Sequence, residues 1–200
     1  MKDLKLGIAC DHAGFALKQT VIAWLQEQGV QVTDYGCPST DSCDYPDFAH
    51  PCAEAVEKGE CYPGIGICGS GEGINMTLNK HQGIRSALCW IPEIAKLTRQ
   101  HNDANVLVMP GRFISNDEAL EIVKTFLGTE FEGDRHVRRI NKIPVKQQLG
   151  GEETTYIYRA FAAAQLAQLY FNAEPYTSGA KSMYAECAKI CEDIINGVYG

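Results

Sequence analysis

Five times between Leu4 and Gly128 a short apolar run gives way to a stretch with helical spacing. The runs cover residues 4–10, 30–35, 64–68, 83–90 and 105–109. The first is followed by Phe15, Leu17, Val21, Ile22, Trp24 and Leu25 at helical intervals, with Gly29 as the stop. Further helical patterns cover 46–58, the residues after Gly73, the stretch from Pro92 to about Asp103, and 116–127 before Gly128. Runs this short and this apolar are buried on both faces, and the intervening helices are long enough to cross back over them. The pattern therefore predicts an α/β fold, a three-layer doubly wound sheet of five parallel strands of the Rossmann-like kind.

In such sheets ligands bind beyond the carboxyl ends of the strands. Asp11-His12, Cys68 to Gly73, His101-Asn102 and Arg112 are expected to gather there. The sharpest of these stretches is Cys68-Gly69-Ser70-Gly71-Glu72-Gly73, between the apolar run Gly64 to Ile67 and a helix start. Glycines let the chain turn tightly, and the first turn of a helix offers unpaired N–H groups to an anion. A thiol opening that turn stands where the thiolate is favoured. The alternative reading is a merely structural turn closed by one more buried cysteine.

A nucleotide is the commonest ligand of a turn like this, and the sequence argues against one. The dinucleotide fingerprint needs a glycine where Ile74 stands and an acid where Cys89-Trp90 stands, and the Walker pattern needs Gly-Lys-Ser/Thr where Gly71-Glu72-Gly73 stands. The anion is then part of a small substrate or one formed during reaction. Arg135 and Arg139, at i and i+4 in the only dense basic run, make a two-pronged phosphate grip or, more plainly, a solvated basic face. A base, an anion hole and a phosphate clamp suit proton abstraction next to a carbonyl, with an enediolate held by backbone N–H groups.

Composition excludes other classes. A net charge of −7 gives no support for nucleic-acid binding, and no apolar stretch has the length of a membrane span. The nine cysteines are odd in number and lack a Cys-x-x-Cys pair, so neither disulfides nor a zinc site is expected. With no signal-peptide pattern at Met1 to Lys5, a reducing cytoplasmic location is expected. Past Gly133 the character changes. Gly150-Gly151 reads as a hinge, and amphipathic patterns over 154–171 and 181–195 predict a helical hairpin. The expected division is an α/β domain over 1–145 and a helical C-terminal extension over 146–200.

Asp11-His12-Ala13-Gly14-Phe15, Asp44-Tyr45-Pro46, the glycine turn, Asn79-Lys80, Gly83-Ile84-Arg85, His101-Asn102-Asp103 and Arg135-His136 with Arg139 occur in one order and spacing. In this the chain resembles the type B ribose-5-phosphate isomerases, whose relatives include galactose-6-phosphate isomerase subunits, over about residues 4–144. The resemblance implies an aldose–ketose isomerase without metal or cofactor, taking a phosphorylated sugar through an enediolate, with sites shared across a homodimer or a tetramer built from it. By position, Cys68 would be the base, with Asp11 close by, and Ser70 would assist proton movement between the oxygens. The N–H groups of Ser70, Gly71 and Gly73, next to Gly69, would hold the enediolate with Asn102. His101, from the partner subunit, would open the ring. His12, Arg112, Arg135 and Arg139 would hold the phosphate, and Tyr45 would lie along the substrate. Part of the family has a glutamate base where Ile74 stands; this chain is of the cysteine type. Met76-Thr77-Leu78 departs from the usual small residues there, so different packing behind the anion hole is expected. Galactose, allose or tetrose phosphates, and a phosphosugar binder without turnover, remain alternatives.

Overall fold

The computed structural model describes residues 4–144. The expected helical extension over 146–200 lies outside the described residues, as do Cys187 and Cys191. Five strands form one all-parallel sheet: β1 (Lys5–Cys10), β2 (Gln31–Asp34), β3 (Gly64–Cys68), β4 (Ser86–Leu88) and β5 (Val106–Pro110). Their order is β2-β1-β3-β5-β4. The register sets Cys10 beside Ile67, and Cys68 beside Pro110.

Helices fill the connections: α1 (Phe15–Glu27), α2 (Tyr45–Glu57), α3 (Glu72–Leu78), α4 (Pro92–Asn102) and α5 (Asn116–Gly128), with α6 (Arg135–Ile140) after the last. Side chains alternate across a strand, and this sorts the core into two layers. Leu6, Ile8, Ile65, Ile67, Leu107 and Met109 face Leu17, Val21 and Leu25 of α1 and Ala119, Ile122 and Phe126 of α5, with Ala95 of α4. Ala9, Cys68, Val106 and Val108 share the other layer with Cys52 and Val56 of α2 and Ile74 and Leu78 of α3. Each large apolar side chain so buried stabilises the fold by about 1.5–3 kcal/mol.

β4 is shorter than the sequence predicts, because its flanks are committed to side chains. Asn79 caps Ser86, donating from Nδ2 to Ser86 O at 2.9 Å and accepting from Ser86 N–H at 2.9 Å. The Arg85 N–H donates to Asn105 Oδ1 at 2.7 Å instead of joining a ladder. One buried charge is structural: Lys18, on the inner face of α1, donates to Cys37 O at 2.7 Å and pairs with Asp34 at 2.8 Å. It ties α1 to the end of β2 and the loop leading to α2. Among the described residues no helix is long and apolar enough to cross a membrane.

Candidate active site

The chain leaves β1 toward β2 on one side and β3 toward the opposite edge on the other, so the crevice of a doubly wound sheet opens beyond Cys10 and Cys68. Asp11 follows β1 directly and is buried. Its Oδ1 accepts from the N–H groups of Ala13 at 2.9 Å and Gly14 at 3.0 Å. That turn leads into α1 and presents His12. His12 Nδ1 lies 3.2 Å from the Cys43 N–H and 3.3 Å from the Cys43 carbonyl oxygen, so the Cys43 backbone holds the ring by that edge.

Cys68 ends β3 with its side chain in the layer of α2 and α3. Gly71 caps α3 in the left-handed conformation, φ 81°, where a side chain would run into Leu88. Gly73 is open for a different reason. A β-carbon there would lie 2.5 Å from Tyr45 Cζ, so the tyrosine ring at the start of α2 rests on the first turn of α3. Ser70 is exposed, and its Oγ accepts from the Glu72 N–H at 3.3 Å. Arg112 is drawn in by the next strand: its N–H donates to Gly69 O at 3.1 Å, and Gly111 N–H to Cys68 O at 2.9 Å. Asp11, His12, Tyr45, Cys68 to Gly73 and Arg112 thus gather at one end of the sheet, as expected.

His101 and Asn102 do not, and here the sequence reading is corrected. A crossover helix starts at the carboxyl end of one strand and returns to the amino end of the next. His101 and Asn102 close α4 immediately before β5, so within one chain they lie at the opposite edge from Cys68. The five residues of β5 separate the two edges by about 13 Å at ~3.3 Å per residue. Arg135 and Arg139, both exposed, belong to that amino edge too, because His136 between them stacks on His101 with centroids 4.5 Å apart and planes at 7°.

The amino edge is itself well built. Asp103, at φ 45°, caps α4 and pairs with Arg99 at 2.7 Å and Arg85 at 3.0 Å, while Arg85 Nε donates to the carbonyls of Asn102 and Asp103. Arg85 and Asp103 therefore fix the end of α4 that carries His101 and Asn102. Glu132 Oε2 lies 3.7 Å from Nε2 of both His101 and His136. Glu132 was missed by sequence reading; its only signal is its i, i+4 relation to His136.

Ile74, at the position where some similar enzymes carry a glutamate, is fully buried and offers no base. Within Met76-Thr77-Leu78, Met76 is exposed, Thr77 Oγ1 donates to Gly73 O of the turn, and Leu78 is buried in the layer of Cys68. Burial pushes the thiols of Cys10, Cys52 and Cys61 up, and that of Cys89 up to about 12. Those cysteines are small apolar side chains of the core.

Residues 6–143 match the family described as Ribose/Galactose Isomerase. The chain belongs to that family. It is 44% identical over 144 residues to ribose-5-phosphate isomerase B of Escherichia coli, covering 72% of this chain and 97% of the relative. A ribose 5-phosphate isomerase structure from Thermotoga maritima matches with a TM-score of 0.70 and 46% identity, covering 71% of this chain and 98% of the other. The ribose-5-phosphate isomerase B of Mycoplasma genitalium, solved with bound ribulose-5-phosphate, matches with a TM-score of 0.69 and 41% identity, covering 72% and 95%. The activity class is thus that of a sugar-phosphate isomerase of the Ribose/Galactose Isomerase family.

Proposed function

We propose that the protein interconverts ribose 5-phosphate and ribulose 5-phosphate through an enediolate, with Cys68 as the base. The observation that carries this reading is the placement of Cys68 between the Asp11 turn and the αL glycine turn, at the switch point of the sheet. Cys68 takes the proton from C2 of the open aldose and returns it to C1. The charge that develops on the carbonyl oxygen is met by the backbone N–H groups of Ser70, Gly71 and Gly73, the kind of fixed donors that stabilise oxyanions. Asp11 stands beside the base, and Ser70 carries protons between O1 and O2. His12 and Arg112 take the phosphate, while Tyr45 bounds the sugar.

The remaining assigned residues lie at the other edge, so their part in the same reaction requires a second copy of the chain. In that arrangement the partner's His101 opens the sugar ring, the partner's Asn102 helps hold the enediolate, and the partner's Arg135 and Arg139 complete the phosphate clamp. A homodimer is the smallest assembly that supplies them. No step uses a metal or cofactor. The ribulose-5-phosphate bound to the relative from Mycoplasma genitalium supports a five-carbon substrate.

The test is ketose formation from ribose 5-phosphate by chelator-treated protein and by Cys68→Ala. Robust turnover that the substitution abolishes supports both reaction and base. Activity that survives in Cys68→Ala refutes the base assignment. An inactive native protein refutes the pentose reading and turns attention to hexose and tetrose phosphates.

A further inference from the structure

Beside His101 the amino edge holds two more ligand groups, Glu132 and His136, that the isomerase reading does not use. His101 closes α4, Glu132 lies in the segment before α6, and His136 is in the first turn of α6. One ligand atom from each lies within 4.8 Å of the other two. The grouping is held by backbone: the Glu132 N–H donates to Gln100 O at 3.1 Å, fixing the segment to the last turn of α4. Arg135 Nε donates to His136 Nε2 at 3.4 Å, so that nitrogen carries a lone pair. The same nitrogen lies 3.7 Å from Glu132 Oε2. Two electron-rich atoms face each other there with His101 Nε2 beside them, an arrangement that a cation stabilises.

We propose that His101, Glu132 and His136 form an inhibitory site for a divalent cation of the zinc class. The proposal rests on the reading of His101 as the ring-opening group, since a metal on its Nε2 displaces any proton there to solvent and takes the lone pair from the sugar. Two imidazoles and a carboxylate are a zinc donor set, with the fourth position left to water. At metal–ligand distances of about 2.0–2.1 Å, tetrahedral ligand atoms stand roughly 3.3–3.4 Å apart. Each 3.7 Å contact to Glu132 therefore has only a few tenths of an ångström to close. The stacked rings must turn so that their lone pairs converge, and the half-exposed His101 is free to do so. Two effects oppose binding: the guanidinium groups of Arg135 and Arg139 repel a cation, and the long Arg135 hydrogen bond to His136 has to break. Both make the site one of modest affinity, suited to reversible inhibition.

Cobalt(II) titration of the full chain tests the site without reference to turnover. The expected result is a visible d–d band saturating near one equivalent per chain, without a near-ultraviolet thiolate charge-transfer band. Glu132→Gln, at an exposed position, and His136→Asn should each abolish it. Zinc should slow isomerisation of ring-closed ribose 5-phosphate, and Glu132→Gln, which removes one of the three protein ligands, should relieve that inhibition. No saturable band, a band unchanged in either variant, or a thiolate band showing that the nine cysteines take the metal would overturn the site. Zinc inhibition that Glu132→Gln leaves unchanged would overturn its inhibitory role. A protein that binds cobalt as expected but turns over no sugar phosphate would refute the isomerase reading alone.

Discussion

Gly73→Ala is a small change with two opposed consequences, and the structure says which wins. The added β-carbon would stand 2.5 Å from Tyr45 Cζ and 2.9 Å from its hydroxyl oxygen. Carbon atoms rest about 3.5–4.0 Å apart, so the ring has to retreat by about 1 Å or more. Forcing an extra methyl into such a contact costs about 1–3 kcal/mol. Against this, Gly73 lies within α3, where alanine is better than glycine by up to about 1 kcal/mol. The net expectation is a destabilisation of about 0–2 kcal/mol and, at roughly 3 °C per kcal/mol for a chain of this size, a fall in Tm of up to about 6 °C. Activity should fall further than stability, because a displacement of about 1 Å beside a reacting group costs on the order of 100-fold. A double-mutant cycle with Tyr45→Ala, read by thermal unfolding and by kcat/KM, separates the effects. Without the ring, Gly73→Ala should become neutral or stabilising, so the sign of its effect reverses. A Gly73→Ala protein with native activity, or an equal loss of stability with and without Tyr45, would refute the packing argument.

The cysteines should divide by reactivity: in native protein at pH 8 a thiol reagent should leave Cys10, Cys52 and Cys89 unmodified, because burial pushes their thiols up, and should reach them on unfolding. Mass-spectrometric mapping of labelled peptides checks this. Ser115 and Glu118 form a capping box at the start of α5, and hydrogen bonds from Ser115 hold the Glu118 carboxyl below its ordinary 4.5. A carboxyl depressed by folding stabilises above its unfolded value and loses that contribution as pH falls through its folded value. Ser115→Ala should therefore lower Tm near neutral pH, and the part of that loss due to Glu118 should disappear as pH falls through its depressed folded value, below 4.5. Finally, inactive Cys68→Ala and His101→Asn chains, co-refolded in equal amounts, should recover about a quarter of native activity. Half the dimers are then hybrids with one intact site of two. No recovery would mean that both groups act from the same chain.

Periodicity revealed the sheet because each strand carries its own signal. Leu6, Ile8 and Cys10 face one layer whether or not the partner strands are known, and the helix limits fell within a few residues of Gly29, Pro92 and Gly128. Edge behaviour was less legible. β4 is cut to three residues by Asn79 and Asn105, whose side chains bond Ser86 and Arg85 from 7 and 20 residues away, outside any strand periodicity. Lys18 was hidden for a similar reason: its charge is matched by Asp34 and Cys37, from another element, so nothing local marks it as buried. The contact between Gly73 and Tyr45 joins α3 to α2 and is invisible to any local pattern.

The misplacement of His101 and Asn102 is the most instructive difference, because it follows from topology alone. In a parallel sheet every strand runs the same way, so a residue just after a strand and a residue just before one lie at opposite edges. Asp11, Cys68 and Arg112 each follow a strand, while His101 and Asn102 precede β5. The sequence order of these residues was enough to separate them before any coordinates. Arg135 and Arg139 are less transparent, since they come after the last strand and α5, and it takes the stack of His136 on His101 and the Glu132–Gln100 bond to assign them to the amino edge. The Arg85–Asp103–Arg99 frame then acquires a functional meaning. It holds, at an edge remote from the chain's own Cys68, the groups that in the proposed mechanism act on a sugar bound by a neighbouring subunit. On the proposed mechanism, a substitution at Asp103 should impair ring opening without touching the base beside it. The measurement is turnover of ring-closed ribose 5-phosphate against the reverse reaction from ribulose 5-phosphate, whose ketose form cannot close to a furanose through O5 because that oxygen carries the phosphate. Asp103→Ala should slow the forward reaction more than exchange of the C1 proton of ribulose 5-phosphate with solvent, a step that Cys68 catalyses on the open chain. Equal losses in both would mean that the amino edge serves the proton transfer itself, and that the division of labour between the two edges is wrong.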